Sequence, residues 1–412
     1  MTEEFEKLYG QDAAAQKVRY TRIAEGFASC FGTGREISFF SAPGRTEIGG
    51  NHTDHNHGHV LAAAVNLDIV AAAAKNPENL ARLKSEEFPD TNCVDLSDLS
   101  IKDQERGTSI ALLRGICARC AELGYQVGGF DSFTSSQVLK GSGLSSSAAF
   151  EVLIVTMISH LFNDGAIDPV TAAQISQYAE NVYFGKPCGL MDQTASAVGG
   201  VAAIDFQNPQ QPVLEKIDFD LAKCGYALCI TDTGGSHANL TADYAAIPAE
   251  MKAVAKTFGK EVLRDVDEQE FVSNIGKVRK LAGDRAVLRA MHFFADDKCA
   301  VQEADALRAG DFVTFKALSI ASGDSSYKLL QNVFACSNPS EQGISLALTI
   351  SEKLLNGRGA WRVHGGGFAG TMQAFVPFDL LDSYKANLEA VFGQNTCHVL
   401  SIRPAGGIKV KI

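Results

Sequence analysis

Arg45 and Asp54 stand in "APGRTEIGGNHTDH", Asp192 lies in "KPCGLMDQ", Glu180 lies twelve residues before it, and Ser145, Ser146 and Ser147 sit in "GSGLSSSAA". The arginine and Asp192 are bounded by glycine or proline, so they read as loop residues, while Glu180 falls near the end of a helix. A carboxylate facing a phosphate-binding loop could hold Mg²⁺, and another could orient or deprotonate an attacking hydroxyl. An arginine beside them could neutralise charge on a transferring phosphoryl group or lower the pKa of a neighbouring base. Taken singly, each acid is more often a surface charge or a cap. Only their conjunction points to phosphoryl transfer.

The segment "GSGLSSSAA" (141–149) supplies what such chemistry needs from the backbone. Gly141 and Gly143 permit a tight turn with exposed N–H groups. The serines can cap the helix that follows. A helix N-terminus offers unpaired donors and a partial positive charge to an anion, and a serine hydroxyl can also coordinate Mg²⁺. The loop is neither a Walker A sequence nor G-x-G-x-x-G. A second glycine loop, "HGGGFAGT" (364–371), is expected between a helix and a strand, where it would let a backbone or ligand come close.

"NHTDHNHGH" (51–59) invites a different reading, because it holds four of the nine histidines. His52 and His55 are three apart, but asparagine, aspartate and glycine break any helix that would align them, and H-E-x-x-H is absent. A metalloprotein is the weaker reading. The ten cysteines are scattered, and the one close pair, Cys117 and Cys120, has no second CxxC at zinc spacing. Free thiols in a reducing compartment are expected.

These residues must be positioned by a substantial scaffold. The chain has 412 residues, 46% of them hydrophobic, with a net charge of −11. An acidic chain without a basic block is a poor partner for nucleic acid or anionic membrane. An anionic substrate would need a local positive site. The N-terminus "MTEEFEKLYG" lacks the form of a signal peptide, and no run approaches the roughly 18 to 20 apolar residues of a membrane span. A cytoplasmic protein is expected.

Apolar spacing predicts a helix within residues 1–30, a strand over "EISFFSAPGR" ending at its Pro-Gly break, strands over "HVLAAAVNLDIVAAAA" and "DSFTSSQVL", a helix after the serine loop, and another over about 169–183. "ALCITDTGG" reads as a strand. Residues from about 240 to 357 read as mostly helical, and the end returns to glycine loops and strands. The pattern implies two closely packed α+β halves meeting near 215–235, with boundaries set at 1–222 and 223–412.

With these motifs in place, the sequence resembles the GHMP kinase superfamily and, within it, galactokinases. The signature G-R-x-N-x-I-G-E-H-x-D-Y-N-x-G is similar to "GRTEIGGNHTDHNHG", P-x-G-x-G-L-S-S-S-A to "LKGSGLSSSA", E-x-x-x-x-G-x-P-C-G-x-M-D-Q to "ENVYFGKPCGLMDQ", and G-G-G-F-G-G to "GGGFAG". The resemblance covers nearly the whole chain. It implies a two-domain GHMP kinase fold with the active site in the cleft between domains, and ATP-dependent phosphorylation of a sugar's anomeric hydroxyl, with ATP as co-substrate and Mg²⁺.

Carried over by position, Asp192 is the catalytic carboxylate and Arg45 its partner. Gly141, Ser142, Gly143, Leu144, Ser145, Ser146 and Ser147 wrap the ATP phosphates, and Ser147 and Glu180 hold Mg²⁺. Asn51, His52, Asp54, Gly189 and Tyr244 contact the sugar. A monomer is expected. The departures include Glu47 for asparagine, Asn51 for the glutamate that contacts the sugar's 6-hydroxyl, His55 for tyrosine, Leu139 for proline and Ala369 for glycine. Asn51 opens a sugar with a 6-carboxylate, such as galacturonate, as an alternative to galactose, because an amide donates as well as accepts. Plant galacturonate kinases resemble the chain in their His-x-Asp-His. A non-catalytic sugar sensor is the third reading.

Overall fold

The computed structural model describes residues 2–138, 143–235 and 240–412. Among these residues the strands are β1 (Ser38–Gly49), β2 (His59–Lys75), β3 (Leu80–Ser85), β4 (Thr91–Asp95), β5 (Phe130–Ser136), β6 (Val201–Asp205), β7 (Val213–Ile217), β8 (Tyr226–Asp232), β9 (Ala360–Val363), β10 (Thr371–Pro377), β11 (Cys397–Leu400) and β12 (Ile408–Val410). They form two sheets. The larger has the order β12-β1-β2-β5-β3-β4, with β6 on β2 and β7 on β6; the smaller runs β11-β8-β10-β9. Helices pack against both, so the chain is α+β.

β2 organises the larger sheet. Its 17 residues pair with β1 along one edge, and with β6 (His59–Ala63) and β5 (Ile69–Lys75) along the other. Alternate side chains face opposite sides. Val70, Ala72 and Ala74 pack with Tyr20, Ile23 and Phe27 of the helix Ala13–Phe31, while Ile69, Ala71 and Ala73 join the core of the helices Ser109–Glu122 and Ser146–Phe162. Both faces are therefore covered, which is why this strand reads as a continuous apolar run.

The structure departs from the sequence reading at four places. Pro43 and Gly44 do not end β1: a register irregularity between Pro43 and Arg45 absorbs them, and the strand continues to Gly49. The helix expected over 169–183 is α-helical over Pro169–Tyr178 and then widens to a π-helix over Ala179–Phe184, a local feature frequent at functional sites. The glycine loop at 364–370 joins two strands, β9 and β10, rather than a helix and a strand. Residues 408–410, placed by sequence in the second half, pair with β1 of the first.

One hydrophobic core also crosses the expected boundary, bringing Leu228, Ile230, Phe312, Phe315 and Phe375 together with Phe40, Leu61 and Ile154. No helix among the described residues is long and apolar enough to cross a membrane.

Candidate active site

The helix Ser146–Phe162 is anchored by side chains such as Leu153, Ile154, Met157 and Ile158, all fully buried. Burial of that kind contributes about 1.5–3 kcal/mol per side chain, so the helix start is held firmly. Gly143 has φ +71° and Ser145, the residue before the helix, has φ +54°. The left-handed conformation is natural for glycine and strained for serine. Ser145 makes no side-chain cap. Its hydroxyl instead donates to Asp192 Oδ2 at 2.8 Å. The first N–H groups of the helix are thus left without a side-chain cap, beside Ser146 and Ser147, which suits an anion. Leu144 is buried, and its carbonyl accepts from the Arg45 N–H at 3.0 Å. The expected phosphate contacts Gly141 and Ser142 lie outside the described residues.

Asp192 is the second residue of the helix Met191–Val198. Arg45, on β1, donates to Asp192 Oδ1 from Nε at 2.8 Å, with its second terminal nitrogen 2.7 Å away. The remaining Arg45 nitrogen donates to the Gly143 carbonyl, so one guanidinium joins the carboxylate to the serine loop. Burial would raise the Asp192 carboxyl, but Arg45 and the Ser145 hydrogen bond outweigh it and hold it below the usual carboxylate range. Asp192 is ionised at neutral pH.

The expected sugar contacts fall into two groups. Asp54 lies against Gly189: a Cβ on Gly189 would overlap Asp54 Oδ2. Gly189 leads directly into the helix carrying Asp192, so Asp54 approaches the Arg45–Asp192 pair through that glycine. His52, with φ +60°, donates from Nε2 to the Gly366 carbonyl at 3.1 Å. Burial and then His55 push its imidazole down to about 3, leaving it neutral. Tyr244 donates to the Gly367 carbonyl at 2.8 Å and stacks edge-on against Phe368. A Cβ on Gly366 would press on the Tyr244 ring, which accounts for glycine there. The loop of the second half therefore closes on the histidine segment of the first.

Asn51 does not fit the role expected for it. It is fully buried and both ends of its amide are occupied by protein. Nδ2 donates to Glu47 Oε1 and to the Gly365 carbonyl, each at 2.8 Å. Oδ1 accepts from Asn332 at 2.8 Å and Ser326 at 3.2 Å. An amide with four partners has nothing left to offer a sugar. Its place is structural, tying the sugar segment to the glycine loop.

Glu180, in the π-helix, has its Oε1 3.4 Å from the Ser147 hydroxyl. Gln193 Nε2 donates to Glu180 Oε2 at 2.8 Å and to Glu151 at 3.2 Å. A hydroxyl and a buried carboxylate meeting at an uncapped helix start fit the oxygen-only, partly hydrated coordination of Mg²⁺, which takes one or two protein ligands plus phosphates. Among the described residues no three His, Cys, Asp or Glu side chains converge as a metal-binding group, the "NHTDHNHGH" histidines included.

Several contributors escaped the sequence reading. His364 is buried between Thr46 and Thr371, at 3.1 Å from each, and lies with Thr371 directly over Gly143. Arg362 is fully buried and pairs with Glu47. Gln193 and Lys186 stand inside the quoted "GKPCGLMDQ" stretch, and that proximity to Asp192 was the one signal that could have found them.

The galactokinase galactose-binding signature matches residues 25–75, and the GHMP kinases N-terminal domain matches residues 111–200. A galactokinase of Streptomyces coelicolor is 29% identical over 392 residues, 94% of this chain and 97% of that one. A galactokinase of Clostridium tetani is 37% identical over a shorter 177 residues, 43% of this chain and 44% of that one. The crystal structure of Lactococcus lactis galactokinase complexed with galactose aligns with a TM-score of 0.81 at 23% identity, over 95% of this chain and 100% of that one. A mevalonate kinase aligns at 0.62 and 14%, over 88% and 98%. These structural likenesses speak for a shared fold.

Proposed function

We propose that this chain, similar along nearly its whole length to galactokinases of the GHMP kinase superfamily, transfers the γ-phosphoryl group of ATP to the anomeric hydroxyl of D-galactose. The observation that carries the reading is Asp192, gripped on one oxygen by Arg45 and on the other by Ser145, at the mouth of an uncapped helix N-terminus. The helix start and Gly143–Ser147 hold the phosphates; Asp54, Gly189, His52 and Tyr244 hold the sugar. The anomeric oxygen forms the new bond to phosphorus while the bond to ADP breaks, its electron pair leaving with ADP.

Asp192, kept ionised by Arg45, orients that hydroxyl by accepting its hydrogen bond, and the proton leaves the oxygen along that bond as the bond to phosphorus forms. A divalent cation at Ser147 and Glu180 would neutralise the β- and γ-phosphates.

A second reading keeps the reaction and changes the sugar. Asn51 replaces the family's glutamate and is fully engaged by protein. The side chain at this position thus makes no demand on the sugar's C6, and galacturonate stays a candidate. The test is ADP release with galactose, galacturonate, galactosamine and glucose. Turnover led by galactose supports the first reading, turnover led by galacturonate the second. ATP turnover with none of them sinks both.

A further inference from the structure

The motif E-x-x-x-x-G-x-P-C-G-x-M-D-Q leaves open the position that this chain fills with Lys186. Its ammonium lies 3.1 Å from Glu180 Oε1, the same oxygen that faces the Ser147 hydroxyl. The other oxygen, Oε2, is taken by Gln193. One carboxylate oxygen therefore faces two suitors, the lysine and any cation bound at Ser147. The two partners differ in freedom: the Glu180 side chain is 3% exposed and the Lys186 side chain 63% exposed. The carboxylate is fixed and the ammonium rides on a long stem in solvent.

We propose that Lys186 is a movable phosphate-binding cation, resting on Glu180 while the site is empty and passing to the terminal phosphate of ATP when a divalent cation takes the Glu180 oxygen. The proposal rests on the kinase reading above and assigns that site one more positioning residue. Charge arithmetic supports it. Arg45 pairs with Asp192 and Lys186 with Glu180, so the two carboxylates bonded to the serine loop are already paired with cations. A metal–nucleotide complex brings its own positive charge to Glu180 and a surplus of negative charge on the phosphates.

The released ammonium then has the phosphates as its partner. Glu151, another nearby acid, is fully buried and accepts from Gln193 at 3.2 Å. Asp192 and Glu180 are both tied to the serine loop, through Ser145 and Ser147, so an ammonium resting on Glu180 stands at the same loop that the catalytic carboxylate reaches.

The test uses the full chain with Lys186→Met and Lys186→Arg, each checked for an unchanged melting temperature. Manganese alone is titrated by electron paramagnetic resonance without nucleotide, and ATP affinity is measured by calorimetry at fixed magnesium. Lys186→Met is expected to bind manganese about tenfold more tightly, because Glu180 is freed, and ATP about tenfold more weakly. Lys186→Arg stays near wild type in both. Unchanged or weaker manganese binding in Lys186→Met overturns the proposal, as does unchanged ATP affinity. If the wild type phosphorylates no sugar, the kinase reading fails by itself, while the manganese and ATP titrations still decide the role of Lys186.

Discussion

Asn51 Nδ2 donates to Glu47 Oε1 at 2.8 Å, and these two residues hold, in exchanged order, the asparagine and the glutamate of the galactokinase signature. Two departures that look independent in sequence are one hydrogen-bonded pair in the fold. The exchange moves the carboxylate from position 51, beside the glycine loop, to position 47, where Arg362 meets it at 3.1 Å. It sits there in a buried group with Asp296, whose Oδ2 accepts from the Asn51 N–H, and Glu303, which lies against Gly49.

Restoring glutamate at position 51 alone adds another carboxylate to this buried group. Asn51→Glu is expected to lose about 3 kcal/mol of stability, the scale of an uncompensated buried charge. Adding Glu47→Asn restores the amide–carboxylate pair and is expected to recover most of the loss. Urea unfolding of the two singles and the double measures the coupling. Strictly additive effects would refute the exchange.

Asp192→Asn keeps the shape of the side chain and removes its charge. The turnover number should fall by at least about 100-fold, with ATP binding and melting temperature close to wild type. Steady-state kinetics with a calorimetric melt checks this, and full turnover would remove Asp192 from catalysis.

Gly189→Ala drives a methyl into Asp54. The carboxylate must swing away, so the sugar KM should rise by about tenfold or more, while the KM for ATP, bound at the serine loop, stays put. Equal changes in both constants would show that Asp54 does not face the sugar.

Glu47 supplies a pH signature. Burial pushes its carboxyl up to about 7 despite the opposing pull of Arg362 and Asn51. The folded state therefore holds a proton that the unfolded chain, titrating near 4.5, gives up. The contribution to stability is full below about 4.5 and is lost as pH rises through about 7. Glu47→Gln removes that slope. Between pH 5 and pH 8 its stability relative to wild type should improve by about 2 kcal/mol, measured by urea unfolding at both pH values. A constant difference would show that Glu47 does not titrate there.

The motifs of the candidate site were legible because each is a local feature with its own physical reason. A helix start needs small and hydroxyl residues before an apolar run, and Ser145–Ser147 before Phe150 and Leu153 supply them. Gly189 and Asp192 share one short loop and helix start. Strand β2 was legible because both its faces are buried, so nearly every position is apolar. The Pro-Gly break in β1 misled, since a proline stops a strand only where its missing N–H would have been needed.

By itself the sequence determined the loops, the residue types and the chemistry they suit, because backbone conformation and helix capping depend on neighbours a few residues away. The tertiary structure decided which of those residues are free to act. Asn51 finds Asn332 and Ser326 some 280 positions along the chain, Ser147 and Lys186 meet on one oxygen of Glu180, and β12 returns to β1 from the far terminus. A side chain's availability depends on how many of its hydrogen-bonding groups the fold has already taken, and only the pairing of distant segments sets that number.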